Sequence, residues 1–148
     1  MSQISVPISI GELIDKLTIL EIKSERIADE QKLINIRKEL GLLREIWNSL
    51  AHASKPITEQ RARLKSVNEI LWDIEDQIRV KEARQEFDEK FIELARAVYL
   101  HNDHRAALKR RINLALGSEV IEEKSYAEYA SLTSNRQSTQ IPCCSRGR

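Results

Sequence analysis

The sequence predicts an all-α fold, a mainly antiparallel bundle of five or six helices in which the second and third are long. Three observations carry that expectation. Apolar residues recur at spacings of three and four along most of the chain, as in "LKSVNEILWDIEDQIRV". Only four glycines and three prolines interrupt 148 residues, of which 32% are charged, a mix that favours long amphipathic helices. Apart from the first eight residues, no alternating β-branched run bounded by turns is present.

The elements follow in order. In "SVPISIGELIDK", Ser9 precedes Glu12 by three residues, a capping-box pattern that starts a helix near Ile10. Ile10, Leu13, Leu17, Leu20 and Ile27 form its apolar stripe. Asp29 is placed to cap a second helix, along which Leu33, Ile36, Leu40, Leu43, Trp47 and Leu50 repeat by threes and fours. Gly41 costs that helix about 1 kcal/mol relative to alanine. "HASKPITE" is unpatterned and contains Pro56, so the chain turns there, with Thr58 as the expected cap of the third helix. Leu64, Val67, Leu71, Ile74 and Ile78 give that helix heptad spacing, suited to pairing with the second.

"QEFDEKFIELARAVYLHND" then reads as a shorter fourth helix with Phe91, Ala95 and Val98 inward, stopping near Asn102. Asn102 or Asp103 is expected to cap a fifth helix through Leu108, Ile112 and Leu116, closed by Gly117. "SEVIEEKSYAEYA", with Tyr126 and Tyr129, reads as a weaker sixth element. Residues 1–130 thus form one helical domain, and the polar, unpatterned residues 131–148 a disordered tail.

Composition excludes several functions. Because 24 basic residues nearly cancel 23 acidic ones, no global attraction to nucleic acid is implied, and no finger, RNA-recognition or basic-zipper pattern supplies a local one. No window is apolar enough to span a membrane and the N-terminus lacks a signal-peptide pattern, so a cytoplasmic protein is expected. The adjacent Cys143 and Cys144 lack the further ligands of a zinc site, and no metal is expected. A Gly-rich phosphate loop, nucleophile elbow, HExxH and CxxC are all missing, so no cofactor is implied and enzymatic activity stays open.

Two constellations remain. On the third helix Trp72, Glu75 and Arg79 lie one turn apart along the flank beside the core stripe, where an aromatic ring next to an ion pair suits an interface or a ligand contact. In "YLHNDHRAALKRR", Arg105 and Lys109 share a face at the expected start of the fifth helix, where free amides attract anions. Asn102 would cap that helix, Arg96 would complete the clamp, and Glu122 and Glu123 would hold the bases when no ligand is bound. Glu12, Lys16 and Lys23 form a further polar side on the first helix. The same residues, in the bland reading, are solvated ion pairs on helix surfaces.

The blocks "SIGELIDKLTILEIK", "LWDIEDQIR", "FIELARAVYLHNDHRAALKRRIN" and "GSEVIEEKSY" resemble a bacterial and phage family known only as a domain of unknown function, over about residues 4 to 129. The resemblance implies an association with glycosyltransferase and tetratricopeptide modules. The expected function is a non-catalytic binding or adaptor domain serving glycan-related enzymes, with a glycosyltransferase-related protein as partner and self-association compatible. The alternative is a protein that binds or transforms a small anionic metabolite, such as a sugar phosphate or nucleotide sugar, in an Arg/Lys/Glu-lined site.

Overall fold

The computed structural model describes residues 3–50 and 57–129, and among these every regular element is helical. There are four helices rather than five or six: α1 (Ile10–Arg26), α2 (Glu30–Ser49), α3 (Thr58–Ala83) and α4 (Glu89–Leu116). The unpatterned tail with Cys143 and Cys144, and the turn around Pro56, lie outside the described residues.

Both predicted caps on the first two helices form. Ser9 accepts from the Glu12 amide at 3.1 Å, and Asp29 from the Lys32 amide at 2.9 Å. Thr58 is not a cap: Ile57 occupies that position, buried and without a side-chain hydrogen bond, so apolar burial replaces polar capping there.

The predicted break at Asn102 does not occur, and α4 runs unbroken for 28 residues. Asn and Asp cost only a few tenths of a kcal/mol each in a helix interior, and neither Pro nor Gly interrupts residues 89–116. Continuing the helix therefore costs little and gains packing along the 26-residue α3. Asn102 bonds back within the helix, its Nδ2 donating to the Val98 carbonyl at 3.0 Å. No free helix N-terminus stands at residue 102. Gly117 ends α4 as predicted, at φ 65°, with Ser118 donating to the Asn113 carbonyl at 2.8 Å, the bonding of a Schellman motif. Residues 118–129, expected to be a sixth helix, form no regular structure and return along α4.

The pairing also differs from expectation. α3 packs chiefly on α4, while α2 packs on α1, and α1 touches all three other helices. Ile14, Leu17, Leu64, Leu108, Ile112 and Leu116 fill the centre with at most 1% exposure. The heptad residues Val67, Leu71 and Ile74 are buried as predicted, but against this neighbour set. Leu94 is the buried residue on the first half of α4, while Phe91, Ala95 and Val98 are only partly covered.

Gly11 decides how close α1 and α4 come. A Cβ there would lie 2.5 Å from the Lys109 carbonyl oxygen and 2.8 Å from Asn113 Oδ1, so only glycine allows the approach. In return, Asn113 accepts from the Gly11 amide at 2.6 Å and Ser118 from the Ile10 amide at 3.1 Å. The amide end of α1 is thus closed by the end of α4.

Candidate functional site

Asp15 organises the site. It lies on α1 in register with Gly11, Thr18 and Ile22, a stripe turned fully inward, and has 0% exposure. A buried carboxylate needs compensation, and three side chains supply it. Arg105 on α4 approaches with Nη2 2.5 Å from Oδ2 and Nε 3.0 Å from Oδ1. Asn68 on α3 donates to Oδ1 at 2.8 Å and to Thr18 Oγ1 at 3.0 Å. Lys109 stands 4.0 Å from Oδ2. Three helices thus meet on one acid.

One turn along α4, Lys109 reaches Glu12 at 2.5 Å and Glu122 at 3.0 Å, which tethers the returning segment. Glu122 also pairs with Lys124 at 2.5 Å. Lys124 and then Lys109 pull the Glu122 carboxyl down to about 2. Burial works against the Lys109 charge, but its hydrogen bonds to Glu12 and Glu122 outweigh that and leave it raised. The Asp15 hydrogen bond likewise holds Arg105 above its usual value. Further along, Tyr129 donates to Asp103 Oδ2 at 2.6 Å and meets Tyr99 edge to face at 5.2 Å.

Between α4 and this segment lies a cavity of about 700 Å³, walled by Val98, Tyr99, Tyr126 and Tyr129 and floored by Asn102, Arg105 and Lys109. The structure therefore brings together Asn102, Arg105, Lys109 and Glu122 from the predicted set. Trp72, Glu75 and Arg79 line a neighbouring cavity of about 320 Å³, and Arg105 stands in the wall of both. There Arg79 pairs with Glu75 at 2.5 Å, and Arg26 places its guanidinium 5.9 Å from the Trp72 ring centroid. Arg96 is exposed and lines neither cavity, while Glu123 pairs with Arg110 at 2.6 Å. Lys16 pairs with Glu39 at 3.9 Å on the surface, apart from Glu12.

The chemical capacity of the larger cavity follows from its charge balance. Arg105, Lys109 and Lys124 stand in its lining against Glu12, Asp103 and Glu122, an equal number of each sign, and Arg105 is further neutralised by the buried Asp15. The cations offered by the sequence are already engaged, and the amides expected at Asn102 are spent inside α4. Among the described residues no group of three or more His, Cys, Asp or Glu side chains could hold a metal.

Asp15, Asn68 and Asn113 escaped the sequence reading. Each sits in register with apolar neighbours, Asn68 one turn from Leu64 and Leu71, and Asn113 one turn from Leu116. A polar residue on an inward stripe was the signal, and it names no partner.

Residues 4–140 match the model of a family of unknown function (DUF6165), and the chain belongs to that family. No curated protein and no solved structure matches it.

Proposed function

We propose that this member of a family of unknown function is a non-catalytic binding module, an adaptor that engages a protein partner through the outer half of the α3–α4 hairpin. The observation that carries the reading is the reach of that hairpin beyond the core. The main apolar cluster ends on α3 at Leu71 and begins on α4 at Leu108. About a dozen further residues of α3 therefore extend roughly 18 Å, at 1.5 Å per residue, paired with the first half of α4. Ile74 and Leu94 are buried along this arm, outside the main cluster.

Its end exposes Val80, Phe87 and Ile92, with Phe87 set edge-on to Phe91 at 5.2 Å. Lys81 ties the turn by pairing with Glu86 at 2.8 Å and Asp88 at 2.7 Å. A projecting arm with exposed aromatic and aliphatic side chains suits docking, because such side chains supply the buried centre of protein interfaces. The resemblance drawn from the sequence supports a bacterial or phage source and a glycosyltransferase-related partner, and the cytoplasm is the proposed place of work.

The test is interferometry of the purified chain against glycosyltransferases of the same genome. Saturable binding is expected, weakened about tenfold by Phe87→Asp, since a buried aromatic anchor is worth more than 1.4 kcal/mol. Phe87 is 54% exposed, so the thermal midpoint stays put. Absence of binding across the set, or binding indifferent to Phe87, overturns the reading.

One observation favours the alternative, a small-anion site: Asn102, Arg105 and Lys109 do converge on the larger cavity. An anion would enter by displacing the Glu122 carboxylate from Lys109. A thermal-shift screen with sugar phosphates and nucleotide sugars checks this, because a ligand at 100 times its Kd stabilises by about 2.7 kcal/mol. No shift in the presence of any of them removes this alternative.

A further inference from the structure

α2 packs Leu33, Ile36, Leu40 and Trp47 inward and turns its opposite face to solvent. On that outer face Ile34, Leu42 and Ile46 are 55%, 40% and 50% exposed. At 100° per residue, Ile34, Lys38, Leu42 and Glu45 fall within a sector of about 80° centred opposite the buried stripe. Lys38 and Glu45, at its middle, have no ion-pair partner among the described residues, although most charged side chains nearby do.

Gly41 lies at the edge of the same sector. A glycine in a helix interior costs about 1 kcal/mol relative to alanine. At Gly11 the α1–α4 contact explains the glycine, but a Cβ at Gly41 would meet nothing within 4 Å. Nothing among the described residues calls for it. Close approach by another backbone would.

We infer that this face of α2 is the interface of a twofold homodimer, in which two copies of α2 cross antiparallel at Gly41. The charge pattern singles out a second copy as the occupant. A twofold axis passing midway between Gly41 and Leu42 brings Lys38 of one protomer alongside Glu45 of its partner, and symmetry repeats the pair on the other side. Both charges are then satisfied at once by the identical surface. The axis also sets Leu42 against the partner's Gly41, so a large apolar side chain fills the space left by a missing Cβ. Ile34 and Ile46 flank this centre and lose their exposure. A parallel crossing would align like charges, which fixes the orientation. The inference involves neither the hairpin arm nor the cavities, and it stands or falls apart from the proposed function.

Sedimentation equilibrium of the full chain over a wide concentration range tests it. The chain is expected to dimerise reversibly. Lys38→Glu and Glu45→Lys, each placing like charges together twice, should weaken dimerisation at least about tenfold. The double variant restores opposite charges across the axis and should recover the dimer, which a general effect of surface charge would not. Gly41→Leu should also give a monomer, with an unchanged helical circular dichroism spectrum. A chain that stays monomeric at every concentration overturns the inference, as does a dimer that the single charge reversals leave unaffected or that the double variant fails to restore.

Discussion

The Arg105 guanidinium of α4 closes on the Asp15 carboxylate of α1 from 90 residues away, with Nη2 2.5 Å from Oδ2, while Asp15 itself is completely buried. The arginine is therefore first a partner for a buried acid. Arg105→Ala leaves that acid with only Asn68 and the more distant Lys109, and is expected to cost about 3 to 5 kcal/mol of stability. Urea denaturation measures it. Replacing both partners, Asp15→Leu with Arg105→Met, should recover most of the loss, because the burial cost leaves together with the attraction. A loss under about 1 kcal/mol for Arg105→Ala would show that the pair does not hold the helices together.

The two helix glycines should respond oppositely to alanine. Gly11→Ala drives a methyl into the Lys109 carbonyl and Asn113 Oδ1, and is expected to destabilise by about 1 to 3 kcal/mol as α1 and α4 separate. Gly41→Ala, measured at a dilution where the chain is monomeric, should stabilise by up to about 1 kcal/mol from helix propensity. Paired thermal melts compare them. Equal effects would mean the α1–α4 approach is not set by Gly11.

Asn113 holds the Gly11 amide at 2.6 Å in a buried setting. Asn113→Ala strands that donor, at an expected cost of about 1 to 3 kcal/mol. Hydrogen exchange at the Gly11 amide gives a local readout: it should accelerate more in this variant than exchange at the centre of α3.

Leu64 has 0% exposure at the centre of the core, and Leu64→Ala should cost about 2 to 5 kcal/mol through lost burial and the cavity left behind. Ile92→Ala, at a side chain 48% exposed, should change stability by less than about 1 kcal/mol. Chemical denaturation of the two variants checks the register of the bundle.

The Glu122 carboxyl is pulled to about 2 from an ordinary 4.5, by Lys124 and then Lys109. A folded-state value below the unfolded one means that its pairing stabilises the returning segment fully above about pH 4.5, and that this contribution is lost as pH falls through about 2. Its side chain is 40% exposed, so solvent and salt weaken the effect. Carbon NMR of the Glu122 carboxyl should show a midpoint near 2, moving up toward the ordinary value in Lys124→Met. A wild-type midpoint near 4.5 would mean that the segment is not tethered as described.

The sequence by itself determined what a single helical turn can encode. Ser9 and Asp29 as caps, Gly117 as the terminator and the inward stripes of α2 and α3 all depend on residues three or four positions apart, within reach of one another in any context. What only the tertiary structure decided lies between segments far apart in the chain. Asn102 looked like a boundary because its own preference is weakly against helix, but packing on α3 outweighs a few tenths of a kcal/mol and α4 continues through it. Arg105 and Lys109 looked available to a ligand because their partners Asp15, Glu12 and Glu122 are distant in sequence, apart from the last. No local pattern distinguishes a carboxylate that will be buried against a guanidinium from one that will face water. Which acid meets which base is set by how closely α1 can approach α4, and that distance is fixed by the missing Cβ of Gly11.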